Sequence, residues 1–199
     1  MERHRLAHLV PWIACLSWAG AVLGVGWLSA GYSQLRHPLA VLGASGAPHA
    51  NVFNLLGYML PGLLLAWLAW RWRSDRAVAG WRLRIGLQLV LLSTLGFAAQ
   101  GLLPLDPRDL AAPASRLHAL AWMAWWTAFV PGALLMVGGG MRADVASAAA
   151  LVFAVLVPVL VLSGGILLPP ALAQRSAVVL WFLWWPAAAR AVAARGAGA

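Results

Sequence analysis

Lysine is absent from this chain of 199 residues, acids number only five, and a single cysteine is present. Charged residues make up 10% of the sequence, against about a quarter in a soluble domain, so the polar atoms needed to clothe a water-facing sphere are missing. This excludes a soluble enzyme, a cytosolic nucleic-acid binder and a disordered tail, although a pI near 11.7 would otherwise point to nucleic acid. Cys15 has no partner in the chain, which excludes a disulfide framework and a Cys-rich metal site, and it reads as a packed thiol. The long apolar runs also lack central Asp, Glu, His or Lys. An ion-driven pump places such groups at mid-depth, so that class is disfavoured. Ser17, Ser93, Thr94, Thr127, Ser163, Gln88 and Gln100 are the polar groups left there, and they read as interhelical hydrogen-bonders.

What remains is 63% hydrophobic, with thirteen Trp and a net charge of +9. A bilayer core of about 30 Å takes about 20 helical residues per crossing. Six stretches qualify, over 8–29, 53–71, 84–103, 116–138, 146–168 and 177–194. The expectation is an all-α, single-domain, polytopic six-helix bundle over 1–199, with no extramembrane domain. The first run is too long for a signal peptide, and Leu28-Ser29-Ala30 is a poor cleavage site, so it reads as an uncleaved helix.

Arginines count ten against four on alternate sides of these spans. Arg3, Arg5, Arg71, Arg73, Arg76, Arg82, Arg84, Arg142, Arg190 and Arg195 mark the cytoplasmic side; Arg36, Arg108, Arg116 and Arg175 mark the other. By the positive-inside rule both termini are cytoplasmic, in a bacterial inner membrane. Trp67, Trp70, Trp72, Trp81, Trp184 and Trp185 then read as interfacial anchors. Pro61, Pro131, Pro158 and Pro186 are expected to kink their helices. The stretch Tyr58 to Leu64 echoes Ala128 to Leu134 around a shared Pro-Gly, as a repeated helical hairpin would.

Chemistry-bearing residues gather in the two outer loops. Loop one carries Ser33, Arg36, His37, Ser45 and His49 and runs into Asn54; loop three carries Asp106, Arg108 and Asp109 and leads into His118. The run YSxLRHPLxxLGAxGAPHAxxFN from Tyr32 to Asn54, with Leu103-Pro104-Leu105-Asp106-Pro107 and Leu117-His118, resembles the bacterial and archaeal membrane family catalogued as domain of unknown function 998. The resemblance spans nearly the whole chain and implies a six-helix unit with two outer motifs. Leu103 stands where that family commonly has Phe. No activity comes with the family.

The residues themselves suggest an outward-facing site between loops one and three that binds a lipid or amphiphile headgroup. Asp106 and His118 suit a carboxylate–imidazole general base that would hydrolyse or remodel the headgroup. Ser33, Arg36, His37, His49, Asn54 and Arg108 are the candidate ligand-binding groups, the arginines for a phosphate or carboxylate. Zinc held by His37, His49, His118 and Asp106 is the metal alternative, without an HxxxH or HExxH spacing to support it. The residues leave the cofactor open. Membrane lipids are the expected partners. A docking subunit for another protein, a homo-oligomer, and a facilitator for an uncharged solute are the rivals. Structural roles compete residue by residue: Ser115 as an N-cap, Asp106-Pro107 as a turn start, Asn54 as a cap or interhelical bond, and Asp109 and Arg108 as solvated charges.

Overall fold

A computed structural model describes residues 2–74, 80–138, 145–163 and 165–196. Among the described residues there is no β-strand, and six long helices follow one another: α1 Glu2–Leu28, α2 Ala50–Ser74, α3 Trp81–Leu102, α4 Pro113–Gly138, α5 Val145–Leu162 and α6 Pro170–Gly196. The apolar part of α1, Leu9–Leu28, and helices α2 to α4 agree with the sequence reading to within three residues at each end. By contrast, α5 stops six residues short of 168, where Gly165 takes a positive φ of 93° and Pro169 and Pro170 follow. Pro170 then opens α6 well before 177, at the first helical position, where a missing amide proton costs nothing.

Five of these helices, α1 to α5, are long and apolar enough to cross a membrane. The stretch expected as a sixth span, 177–194, reaches into side chains outside the described residues, and it is not among these five. Of the ten arginines assigned to the cytoplasmic side, Arg76 and Arg142 lie outside the described residues, as do the side chains of Arg3, Arg5 and Arg195.

Consecutive helices pack side by side, and α6 closes the ring against α1. Its middle fills the interior. Trp181, Trp184 and Trp185 are fully buried and meet Phe97 of α3 at 4.7 Å, Phe129 of α4 at 5.2 Å and Trp72 of α2 at 5.6 Å between ring centroids. Trp72, Trp184 and Trp185 are therefore core residues rather than interfacial anchors. Trp67, Trp70 and Trp81 are the exposed ones. The outer perimeter is apolar as well: Leu16, Leu23, Trp27, Leu120 and Val152 all face outward.

Two glycines let α3 approach its neighbours closely. A Cβ on Gly86 would lie 2.8 Å from the Gly132 carbonyl of α4, and one on Gly62 of α2 would lie 2.7 Å from the backbone nitrogen of Ala98. Both glycines of the repeated Pro-Gly stretch thus press on α3, the small-residue contact that brings membrane helices together. We expect Gly86→Ala to lower stability by about 1–3 kcal/mol through overpacking. Gly20→Ala, with open space around it, is expected to raise stability by up to about 1 kcal/mol through helix propensity. Thermal unfolding in detergent checks the pair; a neutral Gly86→Ala would contradict the close approach.

At the start of α2 the ladder widens into a π-helix over Asn54–Met59, just before Pro61. The proline ring clashes with the carbonyl four residues back in a regular α-helix, and a wider turn at Gly57 makes room for it. Asn54 and Tyr58 are buried by this turn.

Candidate functional site

The loops at one end of the bundle are organised by a buried arginine. Arg175 stands in the second turn of α6 and is 9% exposed. Its Nε donates to Gln34 Oε1 at 3.1 Å, Nη1 to the Ala171 carbonyl at 2.8 Å, and Nη2 to both the Tyr32 hydroxyl and the His37 carbonyl, the latter at 2.9 Å. Every acceptor is neutral. Next to it, Gln174 Oε1 accepts the Leu39 amide at 2.9 Å, and Gln34 Nε2 in turn donates to the Val22 carbonyl of α1 at 2.8 Å. Loop one is thereby clamped to α6 and α1. Burial pushes the Tyr32 phenol above its ordinary pKa, against the opposing pull of the Arg175 charge and hydrogen bond.

The remaining loop-one candidates serve the turn itself. His37 Nδ1 accepts the Ser33 amide at 3.0 Å, while the Ser33 carbonyl accepts the Arg36 and His37 amides. His49 precedes α2 without a side-chain capping bond. Asn54 Nδ2 donates to the Gly43 carbonyl at 3.0 Å, which ties loop one to α2. Arg36 differs from these because its side chain is exposed.

Loop three is held by its own side chains. Asp106 Oδ1 accepts the Arg108 amide at 2.9 Å and Asp109 Oδ1 the Ala111 amide at 2.8 Å, both two residues on, the pattern of Asx turns. Ser115 is not an N-cap, since α4 begins at Pro113; its hydroxyl donates to the Asp109 carbonyl at 2.8 Å and accepts the Asp106 amide at 3.1 Å. His118 is buried, with Nδ1 2.8 Å from the Leu103 carbonyl and the Gln100 carbonyl near the same ring. These are orphan carbonyls at the C-terminus of α3, where a histidine donor is favoured. Asp106 and His118 thus have separate partners. One bond joins the two loops, from the Ser45 amide to the Leu105 carbonyl at 2.8 Å.

Among the described residues no three His, Cys, Asp or Glu side chains are grouped to hold a metal. The zinc arrangement of His37, His49, His118 and Asp106 is therefore not formed: His37 is turned to Ser33, Asp106 to Arg108 and His118 to the end of α3.

Beside the clamp lies a groove of about 290 Å³. Arg36 and Gln174 are its polar lining, and Trp122 of α4, Leu160 and Val161 of α5 and Pro170 of α6 are part of its apolar lining. Among the described residues no acidic side chain lines it. Of the candidates read from the sequence, only Arg36 reaches this groove. Arg175, Tyr32, Gln34, Gln174 and Trp122 were missed, the first because an arginine at the mouth of a span also satisfies a charge count. Adjacent Gln174-Arg175 ahead of an apolar run was the available signal. Comparison with known protein families, curated proteins and solved structures finds no match.

Proposed function

We propose that this chain is a multi-pass protein of a bacterial inner membrane that binds the headgroup of an anionic amphiphile at its outer face. The carrying observation is the groove, whose described lining combines one exposed guanidinium, Arg36, with an indole and two aliphatic side chains and includes no carboxylate. A headgroup phosphate or carboxylate pairs with Arg36, and the first methylenes of an acyl chain pack on Trp122, Leu160 and Val161. The N-terminus of α6 and the guanidinium of Arg175, matched only by neutral acceptors, add positive potential behind the groove.

In this reading α6 is the sixth span, shielded by its neighbours. It meets loop one at Arg175 and Trp72, near the opposite end of α2, at Trp185, which supports a helix running the length of the bundle; with six spans both termini share a side, and the arginine bias supports the cytoplasmic one. The prolines inside α4, α5 and α6 bend those helices. Hydrolysis by Asp106 and His118 would require both to leave their present partners, so binding is the reading the geometry favours.

Native mass spectrometry of protein reconstituted with phosphatidylglycerol tests it. Arg36→Ala is expected to weaken retention roughly ten- to a hundredfold, the loss of one charge-assisted contact, while phosphatidylcholine is retained poorly by both forms. Equal retention by wild type and Arg36→Ala would refute the groove and favour a docking subunit.

A further inference from the structure

Below the clamp, in the interior of the bundle, polar atoms stand without partners. Tyr58 is 1% exposed and Gln100 0%, yet the Tyr58 hydroxyl and both amide atoms of Gln100 make no hydrogen bond within the protein. A buried amide or hydroxyl left unpaired is costly; Arg175 and Tyr32 act on the Tyr58 hydroxyl electrostatically but do not hydrogen-bond it.

The two residues belong to one place. The Tyr58 ring packs edge-on against Phe97 at 5.4 Å and His118 at 6.2 Å between centroids. Phe97 stands one turn before Gln100 on α3, and His118 bonds to Leu103 one turn after it. Gln100 therefore lies midway between the two contacts that flank Tyr58, on the inward face of α3. Gly101 brings the backbones together, since a Cβ there would lie 2.6 Å from the Asn54 carbonyl and 3.1 Å from the Tyr58 Cβ. The π-helix turns Tyr58 inward at this height.

From this arrangement we infer that Tyr58 and Gln100 form an internal binding site for a neutral hydroxyl group, that of water or of a polyol headgroup. The donor and acceptor inventory sets the chemistry. A carboxamide and a phenol together offer donors and acceptors but no formal charge, so a guest that both donates and accepts satisfies them, whereas a bare cation or anion leaves one kind unmet. Buried waters commonly serve such groups with two to four hydrogen bonds each. The inference is independent of the groove at Arg36.

Radiolytic hydroxyl-radical labelling tests the site, because bound water places the radical source beside side chains that bulk solvent does not reach. The full chain is delipidated, reconstituted in phosphatidylcholine nanodiscs and irradiated in ¹⁸O-water, and Tyr58 is compared with the fully buried Phe129. Tyr58 is expected to label severalfold faster than Phe129, and Gln100→Leu to abolish the difference. In phosphatidylglycerol nanodiscs, loss of Tyr58 labelling identifies the lipid hydroxyl as the guest, and its persistence identifies water. Tyr58 labelling no faster than Phe129 in phosphatidylcholine would overturn the proposal, and that wild-type comparison holds even if Gln100→Leu does not fold.

Discussion

Arg175→Leu is expected to be among the most destabilising single changes in the molecule. It removes the donor to Tyr32, Gln34, His37 and Ala171 at once and leaves the Tyr32 hydroxyl, Gln34 and the His37 carbonyl without the group that gathers them. Hydrogen bonds from a charged donor contribute about 1.5–3 kcal/mol each, and the losses overlap. A total near 3–5 kcal/mol corresponds to a fall of about 10 °C in melting temperature for a chain of this size. Arg175→Lys keeps the charge but not the planar fork, so it should fall between wild type and Arg175→Leu. Arg116→Ala, on an exposed face of α4, is the control and should stay within about 0.5 kcal/mol. Detergent thermal melts followed by tryptophan fluorescence give the ranking. Limited proteolysis adds a local readout, with cleavage within 29–49 expected to rise in Arg175→Leu. Melting equal to that of Arg116→Ala would show that loop one is held by something else.

Trp181→Ala is the second large effect. Its ring is fully buried and meets Phe97, Trp125, Phe182 and Trp185 at centroid distances of 4.7, 5.7, 5.1 and 6.1 Å. Truncation leaves a cavity where α3, α4 and α6 converge, at a cost of about 3–5 kcal/mol. Trp70→Ala, exposed on α2, should change the melt little in detergent. If the two variants melted alike, α6 would not be the centre of the bundle. A peripheral helix loses little when an aromatic side chain is removed.

Much of the helical architecture was legible in the sequence. Runs of about 20 apolar residues with few charges have few alternatives to a helix in an apolar medium, because every backbone amide must be satisfied within the segment. That is why the apolar part of α1 and the ends of α2 to α4 agree closely with the sequence reading. The ends of α5 and α6 do not, since apolarity continues through Ile166, Leu167 and Leu168 while Gly165 and the Pro169-Pro170 pair stop the helix. Hydropathy is blind to that boundary, although the glycine and prolines carried it.

The candidate site was legible only in part. Arg36 was identified from its loop, and it lines the groove. Asp106 and His118 looked like partners because both are ionisable, on one face and close in sequence. Each finds a nearer backbone group: the Asx turn claims the carboxylate and the end of α3 claims the imidazole. Local backbone donors and acceptors are fixed by the chain and always within reach, so they compete well against a distant side chain.

The sequence by itself determined an all-helical chain with runs apolar enough to cross a membrane, and it concentrated the ionisable groups in the connections. These follow from composition and period, which act residue by residue. Only the tertiary structure decided that α6, with Arg175 and Arg190, carries the buried tryptophans, that Arg175 clamps loop one across 138 to 143 residues of sequence, and that Tyr58 and Gln100 are both buried with polar atoms unpaired. Those outcomes depend on which faces meet. In a chain whose helices are apolar on nearly every side, amphipathic pattern does not choose the inward face; close packing at Gly62, Gly86 and Gly101 and the fit of large rings do.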